Sequence, residues 1–313
     1  MRAIHTAIVT GPTGAIGTAL CDYLIHNGVQ TFAVIRPHSR RSESIRAIDG
    51  IHIAECDISR LSSLPEVLHG IRADAFFHLA WAKTTGPGRN DMDAQVRNIQ
   101  YTLDACRAAA ALGCSVFVGA GSQAEYGRVN HALTPETPCF PESGYGMAKL
   151  CAGQMSRAEC GKLGIEHIWP RILSVYGPHD GESAMIPSVI RKLLAGERPS
   201  LTAGEQLWDY LYAGDAAEAL YRMALYGQDG AVYPLGSGTA RPLREYIEVL
   251  RDAIDPHLSL GFGEIPYGPR QVMRLQADLS ALTMDTGFVP RTDFATGARN
   301  TIQYIREHPY VRE

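Results

Sequence analysis

Through residue 172 the chain alternates short β-branched or aromatic runs with longer amphipathic stretches, and that rhythm constrains the fold most. Strands are expected at residues 3–10, 31–35, 51–54, 75–80, 115–119 and 166–172, with helices at 15–27, 61–69, 93–112 and 145–164. Strands that alternate strictly with helices connect by right-handed crossovers, which build a parallel sheet with helices on both faces. The strands are nearly continuous apolar runs, as strands covered on both faces must be.

Beyond residue 173 the rhythm breaks. Pro178, Pro187, Pro199 and glycine-rich turns separate a helix near 188–195 from one near 214–226. A strand at 231–235 runs into Gly236-Ser237-Gly238, and a helix follows at 243–254. The remainder is mixed and turn-rich, with no internal repeat. The expected fold class is α/β: a Rossmann-type doubly wound parallel sheet with a smaller mixed α/β C-terminal domain. Residues 1–173 form the dinucleotide-binding domain, rejoined by about 209–240. Residues 174–208 and 241–313 form the substrate-binding domain.

Composition excludes several classes. A 45% hydrophobic, 20% charged chain with net charge −4 is an ordinary globular sequence, without the concentrated basic surface that nucleic acid requires. Seven cysteines without a C-x-x-C pair read as buried thiols in a reducing compartment. The apolar N-terminal run is too short for a signal peptide, and no stretch reaches the length of a membrane span. Cytoplasmic location without membrane contact is therefore expected. The eleven histidines contain no H-E-x-x-H and no cluster with cysteine at ligand spacing, so no metal is expected.

The segment Thr10-Gly11-Pro12-Thr13-Gly14-Ala15-Ile16-Gly17 follows the first strand and opens the first helix. Three glycines at this spacing would arise by chance roughly 0.3 times in a chain of this composition, so context carries the argument. At that junction free backbone N–H groups and the positive helix end can meet a pyrophosphate. The next selective position is the end of the second strand. An acid there would accept a bond from a ribose 2′-OH, whereas an arginine accommodates a 2′-phosphate. This chain has Arg36, with Arg40 and Arg41 close behind and no acid between Thr31 and Arg41. NADP(H) is therefore expected over NAD(H).

Tyr145 and Lys149 are one helical turn apart, so both side chains emerge on one face. Ser122 stands just past the fifth strand, where the strand ends of a parallel sheet converge on the cofactor crevice. A free phenol titrates at about 10, and a neighbouring ammonium is expected to favour its phenolate. Tyr145 can then exchange a proton with an oxygen whose carbon exchanges hydride, while Ser122 holds that oxygen.

With these motifs the chain resembles the extended short-chain dehydrogenase/reductase family over nearly its whole length. The resemblance implies that Asp57 and Ile58 meet the adenine and that Leu79, Ala80 and Trp81 line the cofactor cleft. It places Asn98 among the cofactor residues, and Pro170 and Ile172 near the nicotinamide. It also implies a homodimer formed through the helices at 93–112 and 145–164. Dehydratases of the family carry Asp-Glu directly after the catalytic hydroxyl residue, where this chain has Gln123-Ala124. The strings Gly121–Gly127 and Arg171–Pro178 resemble bacterial 4-ketoreductases of deoxysugar biosynthesis. The implied substrate is a nucleotide-sugar, an NDP-4-keto-6-deoxyhexose reduced with NADPH. A nucleotide-sugar 4-epimerase with bound NAD and a non-catalytic cofactor-sensing module are the alternatives. Candidate substrate contacts are Lys83, Gln123, Ser174, Arg191, Trp208 and Arg270, with Arg198 and Arg274 as further candidate anion partners.

Overall fold

The structure is a computed structural model that describes residues 2–308, with only the main chain of Arg40. The parallel sheet takes β1 (Thr6–Thr10), β2 (Gln30–Ile35), β3 (His52–Glu55), β4 (Ala75–His78), β5 (Val116–Gly119), β6 (Gly121–Ser122), β7 (Glu166–Ile172) and β11 (Val232–Leu235). Its order is β11-β7-β5-β4-β1-β2-β3, and β6 continues β5 along the edge of β7. The order reverses direction beside β1, which places a crevice at the C-terminal strand ends.

Two helical layers cover the sheet. On one side lie α1 (Ala15–His26) and α7 (Ala213–Tyr226); on the other lie α4 (Met92–Ala111) and α5 (Gly144–Leu163). The period-2 alternation of strand side chains serves both. Ala7, Val9, Phe77 and Val118 pack with Leu20, Leu24, Leu220 and Met223 on the first face. Ile8, Phe76 and Phe117 pack with Leu61, Ala105, Cys106, Ala109 and Cys160 on the second. Each such fully buried large side chain contributes about 1.5–3 kcal/mol, so both layers are firmly seated.

Between β2 and β4 two short helical turns interrupt, α2 (Glu43–Arg46) and α3 (Leu64–Val67). The single helix expected at 61–69 is instead a 3₁₀ segment, Ile58–Ser63, followed by α3. Arg60 leaves helical geometry at φ −128°, and Pro65 lacks the N–H that would bond back across the join.

The C-terminal region pairs β8 (Ser174–Tyr176) with β10 (Tyr210–Tyr212) in parallel, and β9 (Leu207–Trp208) with β12 (Arg241–Pro242) antiparallel. Around them pack α6 (Met185–Leu194), α8 (Leu243–Ile254) and α10 (Phe294–Glu307), whereas α9 (Ser280–Thr286) packs against α7 and β11 of the large sheet. Ile186, Ile190, Leu193, Tyr246, Leu250, Phe294, Ala298 and Ile302 form the core of α6, α8 and α10. No helix among the described residues is long and apolar enough to cross a membrane.

Candidate active site

The glycine loop joins β1 to α1 at the crevice. Gly11 is left-handed at φ +69°, and a Cβ there would stand 2.7 Å from the Ala80 amide nitrogen. A Cβ on Gly17 would lie 2.7 Å from the Pro12 Cα. Gly14 differs: nothing lies within 4 Å of its Cβ position, so this is where the loop faces open space. The adjoining cavity of about 330 Å³ is lined by Thr13, Arg36, Arg41, Asp57, Ile58, Ala80 and Trp81 among others.

Asp57 accepts from the Ser59 amide at 2.9 Å and the Ser59 hydroxyl at 2.6 Å. Those bonds, with the Arg36 charge, hold its carboxyl below the usual carboxylate range. Arg36 is exposed at the end of β2, and Arg41 donates to the Thr13 carbonyl at 3.3 Å. The Arg40 side chain lies outside the described residues. Leu79 and Ala80 extend β4, and the Ala80 amide donates to Thr10 Oγ1 at 3.3 Å. Ala15 and Ile16 open α1. Open space at Gly14, a helix start and arginines at the cavity wall fit a dinucleotide with its phosphates at the loop.

Beside this cleft, Ser143 caps α5 through the Gly146 amide at 3.1 Å, setting Tyr145 in the first turn and Lys149 one turn later. Ser122 ends β6 opposite Ile172, with its hydroxyl near enough to the Tyr145 phenol to draw that group's pKa down. Pro170 lies further back in β7, buried against β11. Lys149 is 3% exposed. Its Nζ donates to the Ala120 carbonyl at 2.6 Å and stands 3.7 Å from the Trp81 ring centre. Burial pulls its pKa down to about 7, against the pull of the Glu125 charge. Burial and Lys149 together push the His78 imidazole down to about 3.

Lys149 Nζ stands 5.8 Å from the Tyr145 ring centre, and a second cation lies nearer to that ring. The cation over that ring is Arg89, with Cζ 4.3 Å from the centre. Burial pushes the Tyr145 phenol up, whereas the Ser122 hydroxyl and Arg89 draw it down. Nothing in the periodicity marks Arg89, which sits in a Gly/Pro turn.

Sequence reasoning also missed a buried brace. Glu125, fully buried, accepts from the Ser122 amide at 2.8 Å, Trp169 Nε1 at 3.1 Å and Arg171 Nε at 2.7 Å. The signal was present: Ser122-x-x-Glu125 is a capping box, and both of its reciprocal bonds form. Asn98, 1% exposed, directs its amide to the main chain of Ala82, at 2.9 Å to both its N–H and its C=O. It thereby shapes the loop that follows the cleft.

The substrate candidates do not converge equally. Gln123 follows Ser122 in a half-buried turn. Trp208 Nε1 donates to Ser174 Oγ at 2.8 Å, so those two side chains meet. Lys83 is exposed on a left-handed residue at φ +61°. Arg191 pairs with Glu182 at 3.5 Å, Arg198 with Glu264, and Arg274 donates to Gln276 at 2.8 Å. Arg270 is exposed in the segment between α8 and α9. No group of three or more His, Cys, Asp or Glu among the described residues is placed to hold a metal.

A parallel dinucleotide-binding sheet with serine, tyrosine and lysine gathered at its C-terminal edge defines an enzyme that works with a nicotinamide cofactor. The model of the NAD dependent epimerase/dehydratase family matches residues 7–236, and the chain belongs to that family, whose members modify nucleotide sugars. It is 25% identical to the dTDP-glucose 4,6-dehydratase of Neisseria gonorrhoeae, over 98% of this chain and 97% of that one. Among solved structures it is similar to a UDP-N-acetylglucosamine 4-epimerase from Methanobrevibacter ruminantium M1 in complex with UDP-N-acetylmuramic acid. That likeness has TM-score 0.87 and 23% identity over 98% of this chain and 100% of that one. RMD from Pseudomonas aeruginosa complexed with NADPH is similar with TM-score 0.79 and 24% identity, covering 97% and 99%.

Proposed function

We propose that the protein reduces the 4-keto group of a nucleotide-diphosphate 6-deoxyhexose with NADPH. The observation that carries this reading is that Ser122 and Tyr145 stand together at the cleft, near enough for the serine hydroxyl to draw the phenol's pKa down, with Gln123-Ala124 rather than an acidic pair after the serine. One proton donor is thus present for carbonyl reduction, and the additional acid and base that water elimination needs are missing from that place.

A nicotinamide dinucleotide with its pyrophosphate at the glycine loop would supply the hydride. Tyr145 gives its phenolic proton to the carbonyl oxygen and is left as phenolate. The Ser122 hydroxyl accepts from the Ala124 amide at 3.2 Å, so its own proton remains available to the same oxygen. A donor placed where charge develops is worth about 3 kcal/mol of the barrier. Lys149, buried under Trp81, fixes the floor of the cleft through Ala120.

Arg36 at the cavity wall supports NADPH, since a guanidinium suits a 2′-phosphate. We further propose a homodimer through α4 and α5. Met92 and Val96 on the first helix, and Met147 and Met155 on the second, are large apolar side chains left exposed. The two-domain division with substrate held by 174–208 and 241–313 belongs to the same reading, as does a cytoplasmic location.

The test is a panel of NDP-4-keto-6-deoxyhexoses assayed with NADPH and with NADH. NADPH is expected to be favoured at least about tenfold in kcat/KM, a difference of about 1.4 kcal/mol. A preference for NADH overturns the role of Arg36. Bound NAD with turnover lacking added reductant would make the protein an epimerase instead.

A further inference from the structure

We propose that Arg89 is a positioning residue for Tyr145, held over the phenol ring by a purpose-built loop so that its charge favours the phenolate. This rests on Tyr145 being the proton donor of the proposed reaction.

The loop between β4 and α4 is fixed from several sides. The buried Gln95 on α4 donates to the carbonyls of Lys83 and Gly88, each at 3.0 Å, and accepts from Trp81 Nε1 at 2.9 Å. Asn98 clamps Ala82 as described. Asn90 Oδ1 accepts from the Gly144 amide at 3.0 Å, tying the loop to the first turn of α5 one residue before Tyr145. Arg89 itself donates to the Thr84 carbonyl at 3.2 Å, which anchors the guanidinium with its Cζ 4.3 Å from the ring centre. Trp81 meets the same ring edge-on, with centroids 6.0 Å apart at 80°. The phenol is thus boxed by Arg89 and Trp81 while its oxygen is left to Ser122.

Two other charges lie near Tyr145, with one neutral imidazole beyond them. Lys149 lies further along α5, held by Ala120 and Trp81. Glu125 lies beyond Ser122 and is committed to Arg171, and neutral His78 on β4 lies behind Lys149. Arg89 is therefore the cation closest to the ring face. A cation at a ring face is attracted by the quadrupole, and more strongly once the ring carries negative charge. When Tyr145 donates its proton in reduction, the resulting phenolate gains that interaction until solvent returns the proton.

The experiment is a ¹³C NMR titration of the protein labelled at tyrosine Cζ, free and with NADP⁺. Tyr145→Phe identifies the signal among the 14 tyrosines. Arg89→Gln is expected to raise the Tyr145 midpoint by about one pH unit, tenfold in its ionisation constant, and Arg89→Lys to recover part of it. Asn90→Ala, which loosens the clamp without removing the charge, is expected to give a smaller rise and serves if Arg89→Gln does not fold. With substrate, Arg89→Gln should lower kcat more than it changes KM. A folded Arg89→Gln, or Asn90→Ala in its place, whose midpoint moves by less than about 0.2 unit overturns the proposal. The titration needs no substrate, so it decides on Arg89 even if every keto-sugar proves inert and the reductase reading falls.

Discussion

Replacing Gly14 and Gly17 by alanine, one at a time, separates what the loop does for binding from what it does for folding. Gly14 has φ −92° and ψ 170°, which alanine adopts readily, and its Cβ would meet nothing within 4 Å. The folding cost is the loss of glycine at a helix N-cap, about 0.5 kcal/mol, which lowers Tm by about 1–2 °C in a chain of this size. The added methyl would, however, stand where phosphates must approach, and NADPH affinity is expected to fall at least about tenfold. Gly17 behaves oppositely. Alanine inside a helix gains about 1 kcal/mol, but its Cβ would press on the main chain of Gly11 and Pro12, which no rotamer change can relieve. Overpacking costs up to about 3 kcal/mol, so a net loss of about 2 kcal/mol and a Tm drop of about 5 °C are expected. The assays are NADPH fluorescence titration and thermal unfolding with and without cofactor. Saturation at about a hundredfold over Kd should stabilise the native protein by about 2.7 kcal/mol. A Gly14→Ala variant binding NADPH as tightly as the parent would refute the phosphate-loop geometry.

Further outcomes follow from the same geometry. Tyr145→Phe should lose about 10²–10⁴-fold in kcat while binding NADPH normally, as measured by steady-state kinetics and titration. Arg171→Met leaves Glu125 buried without its ion partner, so urea unfolding should register a loss of about 3–5 kcal/mol; a loss below about 1 kcal/mol would mean that the brace is dispensable. Lys149 titrates near 7 when folded but at about 10.4 when unfolded. The unfolded chain therefore binds more protons between those values, and this residue's contribution makes stability rise with pH across that window. Urea midpoints from pH 7 to 10 should show that slope in the parent and its loss in Lys149→Met.

The doubly wound half was legible because two simple periods, 2 and 3.6, alternate without interruption, and β11 could be placed from its apolar run. The C-terminal part was harder. In α10 the buried positions Phe294, Ala298, Ile302 and Ile305 do keep helical spacing, but Gly297 and Thr301 on the same face blur the stripe. The strand pairs β8–β10 and β9–β12 are too short to show a period at all. Within the site, Ser122, Tyr145 and Lys149 could be picked out because their chemistry is tied to spacing and to strand ends. Glu125 was readable in principle, since a capping box is a local pattern. Arg89 was not, because its approach to Tyr145 depends on Gln95 and Asn90, long-range contacts that fold the loop back across the cleft. Asn98 shows the converse. It stands out as a polar residue at a helical position, yet its amide serves the loop backbone at Ala82.

The central claim, reduction of a 4-keto sugar by hydride from NADPH with Tyr145 as proton donor, is tested most directly with [4-²H]NADPH and an NDP-4-keto-6-deoxyhexose. Deuterium should appear at C4 of the product, as read by NMR, in step with NADPH consumption, and Tyr145→Phe should abolish both. Conversion of a 4-hydroxy nucleotide sugar with no deuterium gained and no NADPH consumed would contradict the claim.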